Sequence, residues 1–262
     1  MNNSVSKAIQ LLEELSRAKQ PVALGDLARR THLNKATAYR MLNALCQKSL
    51  TQKTSDLGVY ALGPKLLMLA EDYRRSFTMR DRVVPYLEQL VRATSETAIY
   101  CERYQQDACV TIERRESPHH TRTVIETGVP RPLYAGSSAL AILAMLPQEE
   151  ILALLRKRPF EKFTPHTPNS VNQILKKLEA VRRRGYAVSV QERYSFTAGI
   201  GAPCVLGQNV FGSIAVIGPT ERIKATGVDK IGRTVRSVAM KLSTALSHAD
   251  ALGEIGLLRR VK

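Results

Sequence analysis

Residues 23–48 read ALGDLARRTHLNKATAYRMLNALCQK, and the spacing of their apolar side chains decides the fold of the N-terminal part of the chain. Leu24, Leu27 and Ala28 fall on one side of a short helix, with Arg29 and Arg30 on the other. Thr31, His32 and Leu33 break that period as a polar turn around one buried leucine. Ala38, Met41, Leu42 and Leu45 then recur at i, i+3, i+4 and i+7, the underside of a second helix. Its outer face, mainly in the first turns, carries Lys35, Ala36, Thr37, Tyr39, Arg40 and Asn43. A helix-turn-helix places such a face in the major groove, where Arg, Asn and Thr reach base edges and the helix N-terminus favours phosphate. An amphipathic hairpin with merely solvated charges has the same pattern, so the flanks decide.

Downstream, residues 50–53 and 59–62 are β-prone and surround the turn formers Ser55, Asp56 and Gly58. They read as a hairpin wing that lays Lys53 beside the adjacent DNA backbone, adding affinity without sequence information. Upstream, Val5, Ala8, Ile9, Leu12 and Leu15 give a supporting helix its apolar face. Past Pro64, residues 65–70 continue towards Arg74 and Arg75 as a helix too apolar to stand alone. It is either a connector that helps pair subunits or a packed helix of the next domain.

From Asp81 the pattern changes. Val83, Val84, Leu87, Leu90 and Val91 mark a helix, followed by strand-like segments at 98–104, 109–113 and 122–125. Residues 138–146 are an apolar helix, and Pro147 opens another with Glu149 and Glu150 behind it. Ser170 and Gln173 form a capping box before Ile174, Leu178 and Val181, and Gly185 ends that helix. The cluster Arg182-Arg183-Arg184 at its C-terminus fits the helix dipole better than a nucleic-acid patch. Strands resume at 186–190, 200–206 and 210–217, the last two joined across Gly207-Gln208-Asn209, and a final helix follows Asp229. Helices mixed with mainly antiparallel strands make an α+β protein.

At 262 residues the chain can hold two ordinary domains. Its 39 Lys and Arg against 23 Asp and Glu give a formal charge of +16, so a polyanionic partner is expected. No apolar run is long enough to span a bilayer and no signal peptide is visible, which points to a cytoplasmic protein with no membrane partner. Cys46, Cys101, Cys109 and Cys204 are spaced too far apart for a zinc knuckle or a disulfide scaffold and read as reduced thiols, mostly core. His119-His120 lies in a Pro-containing polar stretch, a loop rather than a metal site. Neither a metal nor a cofactor is expected.

Four segments together resemble the DNA-binding half of the IclR family of bacterial transcription regulators: Ser4-Val5-Ser6-Lys7-Ala8, Leu24-Gly25-Asp26-Leu27-Ala28, Lys35-Ala36-Thr37-Ala38-Tyr39-Arg40 and Tyr60-Ala61-Leu62-Gly63-Pro64. Residues 133–146, Arg183 with Gly185-Tyr186-Ala187-Val188, and Ala202-Pro203 through Gly218-Pro219-Thr220 resemble the family's effector domain. The resemblance implies an N-terminal winged helix-turn-helix (1–63) joined by a linker helix (64–80) to a GAF-like effector-binding domain (81–250), with a tail at 251–262. Two departures stand out. Ala23 replaces the usual Ser or Thr, so Asp26 has lost its capping-box partner, and Ala36 replaces a usual Ser; together these predict altered operator preference or affinity rather than loss of DNA binding.

By position the resemblance assigns effector contact to Ser137, Ser138, Ser189, Gly199, Ala215 and Ile217. Family members that bind small polar acids carry an acid, a thiol and hydroxyls at the last four, whereas this chain has one hydroxyl there, at Ser189. A tiny polar acid would leave its oxygens poorly paired, so an aromatic or otherwise apolar organic acid is expected. Gly136-Ser137-Ser138 offers N–H groups and hydroxyls to its carboxylate, or serves only as a helix cap. The resemblance further implies a homodimer or dimer of dimers on palindromic double-stranded DNA. Repression is the family's commoner mode, with activation as the alternative.

Two other classes stay open. Gly199-Ile200-Gly201 begins like a dinucleotide fingerprint, but Cys204 stands at the third glycine position and the segment reads as strand. With no nucleophile elbow or P-loop, an enzyme is not expected. A nonspecific nucleic-acid-binding protein would bind every duplex equally with strong salt dependence.

Overall fold

In the computed structural model the chain divides into two compact units, Met1–Phe77 and Thr78–Lys262. The structure describes residues 4–54, 58–76, 78–156, 159–207 and 209–251. The expected turn residues Ser55, Asp56 and Gln208 and the tail from 252 lie outside the described residues, as do the side chains of Arg74 and Arg75.

The first unit runs α1 (Ser4–Ala18), β1 (Val22–Ala23), α2 (Leu24–Arg30), α3 (Lys35–Gln47), β2 (Thr51–Thr54), β3 (Val59–Leu62) and α4 (Lys65–Ser76). The spacing that predicts two short helices gives α2 and α3, whose Leu27, Ala28, Ala38 and Leu42 share a core with Leu11, Leu15, Val22 and Tyr60. The wing is an antiparallel pair with Thr51 opposite Leu62 and Thr54 opposite Val59. Its third strand, β1, pairs with β3 and was not legible, because two residues are too few to show a period.

Two details of this unit differ from expectation. Leu11, completely buried, leads the core face of α1 with Leu15, while Val5 and Ile9 are exposed. The core face therefore centres on the second half of the helix, and α2 and α3 both pack against α1. In the turn, Thr31 is buried and Leu33 only half-buried; the Thr31 hydroxyl donates to the Leu27 carbonyl at 2.7 Å, which satisfies it at the open end of α2.

The second unit runs α5 (Thr78–Thr94), β4 (Thr97–Tyr104), β5 (Ala108–Arg115), β6 (Pro130–Pro132), α6 (Ser137–Leu143), α7 (Gln148–Arg156), α8 (Val171–Arg184), β7 (Ala187–Val190), β8 (Thr197–Leu206), β9 (Asn209–Pro219), α9 (Thr220–Thr226) and α10 (Val228–Ala251). The six strands are antiparallel in the order β6-β5-β4-β9-β8-β7. Helices α5 and α10 pack on the sheet, as does α6, which α8 backs. Fold class is thus α+β, with the sheet carrying helices on its faces.

Residues 122–125 are not a strand. Their carbonyls serve side chains instead, Thr123 accepting from the Thr97 hydroxyl at 2.8 Å and Ile125 from Arg114. The edge beside β5 is taken by Pro130-Arg131-Pro132. Proline lacks the N–H a central strand needs and is tolerated at an edge, so the segment carries no strand signal of its own. Helix α9, also unforeseen, precedes the long C-terminal helix.

The capping residues Ser170 and Gln173 act as expected in part. Ser170 accepts from the Gln173 N–H at 3.3 Å, but the Gln173 side chain reaches the N–H of Asn169 rather than closing the box on Ser170. Arg182 donates to the Ala144 carbonyl at 2.7 Å and Arg184 to that of Tyr186 at 2.7 Å, so two of the three clustered arginines hold helix ends and loops in place.

Candidate functional site

The outer face of α3 is set by its first turn. Asn34 accepts from the Thr37 N–H at 2.7 Å, so the helix starts with a satisfied donor and a fixed direction. Beyond that cap Lys35, Ala36, Tyr39 and Arg40 are exposed, and Thr37 and Asn43 are half-buried along the same side. Lys53 is exposed on β2. At α2 the N-cap Ala23 makes no side-chain cap bond, and Asp26 pairs with Arg29 at 2.8 Å. We predict that Asn34→Ala lowers the stability of this unit by about 1 kcal/mol, read as a shift in its urea midpoint. An unchanged midpoint would show that the cap contributes nothing.

In the second unit, one sheet face and the start of α6 enclose a cavity of about 60 Å³. Alternation along the strands brings its wall together: Ile99 and Cys101 from β4, Cys109 and Thr111 from β5, Gly199 from β8 and Ile217 from β9. Ser137, Ser138 and Ser189 line it as well. Ala215 does not. It is fully buried in the core opposite Ile99 and Gly201, one row along from Gly199 and Ile217. A Cβ on Gly201 would stand 2.9 Å from the Ser137 carbonyl, so α6 sits directly on that row and leaves no space over it.

The remaining wall carries two arginines that sequence reasoning missed. Arg131 comes from β6 and Arg193 from the loop between β7 and β8. Arg131 donates to the Tyr194 hydroxyl at 2.7 Å, and the Arg193 guanidinium lies 4.0 Å over the Phe163 ring. Nε and Nη2 of Arg131, Nε and Nη1 of Arg193 and Oγ of Ser138 are buried without a hydrogen-bond partner. Among the described residues neither arginine has an ion-pair partner, and no Asp or Glu lines the cavity. Burial, and secondarily the like charge of Arg131, holds Arg193 below the ordinary guanidinium range.

The loop bearing Arg193 is held by neighbours outside the cavity. Thr164 donates to the Gln191 carbonyl at 2.5 Å and Thr167 to that of Glu192 at 2.7 Å. The buried Glu192 carboxylate accepts from the Gly136 N–H at 3.0 Å and pairs with Lys177 at 2.7 Å. The Gly136 N–H expected to meet a ligand is therefore already engaged.

Cys101 and Cys109, far apart in the cysteine spacing of the chain as a whole, meet on adjacent strands. The Cys109 thiol, followed by the hydroxyl of Thr111, holds Cys101 below the ordinary thiol range, and Cys109 is pushed well up in return. All four cysteines are free, and three of them are buried. Among the described residues no group of three or more His, Cys, Asp or Glu is placed to hold a metal, and no helix is long and apolar enough to cross a membrane.

Residues 4–55 match the model of the IclR helix-turn-helix domain, and residues 72–244 match that of the bacterial transcriptional regulator IclR C-terminal domain. The chain belongs to the IclR family. Among its relatives, the transcriptional repressor IclR of Escherichia coli is 26% identical over 92% of this chain and 89% of that one. The crystal structure of an IclR transcriptional regulator from Alicyclobacillus acidocaldarius aligns with a TM-score of 0.81 at 25% identity, covering 93% of this chain and 98% of that one. An IclR homologue from Microbacterium hydrocarbonoxydans, solved with 4-hydroxybenzoate, has the same fold, with a TM-score of 0.75 at 20% identity over 92% of this chain and 98% of that one.

An IclR-family protein is a DNA-binding transcriptional regulator, not an enzyme. The glycines of residues 199–201 accordingly serve packing. A Cβ on Gly199 would fall 2.6 Å from the Ser137 hydroxyl, and the segment is strand β8 rather than a phosphate loop. The arginines were missed for a physical reason: one lies between two prolines and the other in a loop, so neither is part of a periodic pattern.

Proposed function

We propose that this protein is a repressor that binds an operator through the outer face of α3 and the wing, and is controlled by a small organic acid in the cavity beneath α6. The observation that carries the effector reading is the pair of guanidinium groups on the cavity wall with unpartnered N–H groups and, among the described residues, no Asp or Glu lining that wall. Buried donors of this kind cost free energy until an acceptor meets them, and an acid supplies one. The 4-hydroxybenzoate held by the Microbacterium homologue and the repressor role of the Escherichia coli relative point the same way. Ser189, Gly199, Ala215 and Ile217 alone would leave a small acid short of partners; in this reading Arg131 and Arg193 provide them from elsewhere in the fold.

In this reading Lys35, Ala36, Thr37, Tyr39, Arg40, Asn43 and Lys53 lie against DNA, and Ser137, Ser138, Ser189, Gly199 and Ile217 surround the effector. One short recognition helix reads few base pairs, so the working form is a homodimer or a dimer of dimers on half-sites about 10 bp apart or a multiple of that. Exposed Leu67, Met68 and Leu69 on α4 give such an assembly apolar surface to bury. The operator places its action in the cytoplasm.

The test is binding of the full chain to the region upstream of its own gene against a scrambled duplex of equal length, at two salt concentrations, with a panel of organic acids. Preference for the native duplex, weakened by at least one acid, is the expected result. Equal binding to both duplexes would reduce the protein to phosphate-driven association and sink the regulator reading. Light scattering should give the molar mass of two or four chains, and transcription with and without protein should show repression.

A further inference from the structure

Resting on the effector reading above, we infer that the ligand is a compact dicarboxylate, each carboxylate taken by one of Arg131 and Arg193. Nε and Nη2 of Arg131 form one edge of its guanidinium, the edge that meets a carboxylate with two parallel bonds. Arg193 adds two further unpartnered N–H groups, and Ser138 a hydroxyl. A monocarboxylate has about four acceptor sites on its two oxygens but a single negative charge, which answers one guanidinium. The second guanidinium would then keep its charge unanswered beside a like charge.

No nearby group removes that excess. The buried Glu192 carboxylate is already matched by Lys177 and by the Gly136 N–H, and no acidic side chain lines the wall. Tyr194 offers Arg131 only a hydroxyl oxygen as acceptor, and Phe163 under Arg193 offers only a ring face. Ile99, Ile125, Ala139 and Ile217 form the apolar part of the wall, alongside the hydroxyl-bearing Thr111, Ser137 and Ser189, and the space is about 60 Å³. The ligand therefore has a short apolar body between or beside its two acid groups.

The experiment is calorimetric titration of the full chain with acids matched in skeleton and differing in charge: succinate against butyrate, phthalate against benzoate, with glycerol phosphate as a dianion of another class. In at least one matched pair the diacid should bind about tenfold or more tightly than the monoacid. Arg131→Gln and Arg193→Gln should each bring the diacid down to the level of the monoacid; comparison of the pairs on the unaltered protein stands even if a variant does not fold. Monoacids binding as tightly as their diacid partners would overturn the inference while leaving an organic-acid effector standing, as would glycerol phosphate binding where no dicarboxylate does. Failure of every acid, singly or doubly charged, to bind or to alter DNA binding would overturn both.

Discussion

Arg40→Ala is expected to weaken binding to the upstream duplex by about tenfold to a hundredfold, the loss that follows when a side chain reading a base edge is removed. Arg40 is exposed on the outer face of α3, two residues past Ala38 and two before Leu42, which are buried at 0% exposure and fix that face. Truncating it removes no core contact, so the urea midpoint of the DNA-binding unit should not move. A base-reading arginine and a phosphate-binding one then differ in a measurable way. Loss of a base contact lowers affinity for the native duplex and narrows its margin over the scrambled one. Loss of a phosphate contact lowers both together and reduces the salt slope by about one. Affinity equal to that of the unaltered protein on both duplexes would remove Arg40 from the DNA-binding face.

Leu140→Ala should destabilise the effector-binding unit by about 2–5 kcal/mol. Leu140 is completely buried in the middle of α6, within a cluster that also holds Ile151 of α7, Ile174 and Leu178 of α8, and Ala215 of β9. Removing its branched end leaves a cavity that three helices and a sheet would have to collapse around, which packed interiors do only in part. Urea unfolding followed by a probe confined to this unit, rather than a single global transition, is the appropriate measurement for a two-unit chain. Because the same helix presents Ser137 and Ser138 to the cavity, the affinity of an acid bound there should fall along with stability. A loss below about 1 kcal/mol would mean that α6 settles into the vacated space.

The two arginines mark the boundary between what could and could not be read in the chain. Ser137, Ser138, Ser189, Gly199 and Ile217 follow from resemblance and are indeed brought to one cavity, because strand alternation and the start of a helix are local features. Arg131 and Arg193 are 62 positions apart and meet only when β6 closes one edge of the sheet and the loop after β7 is pinned by Thr164 and Thr167. Cys101 and Cys109 behave similarly: their spacing suggests nothing, yet antiparallel pairing of β4 with β5 puts one thiol against the other. In the opposite direction, Arg182 belongs to a basic cluster in sequence and proves to hold the end of α6 through the Ala144 carbonyl.

By itself the sequence determined the helix-turn-helix, the wing strands, the α+β class and the family, since helix period, strand alternation, caps and turn residues act within a few positions of one another. Only the tertiary structure decided which face of α1 is buried, that residues 122–125 yield the sheet edge to a proline-flanked strand, and that two unpaired guanidinium groups line the cavity. Those outcomes depend on which distant segments compete for the same hydrogen bonds and the same buried space, and no local pattern of residues encodes the winner.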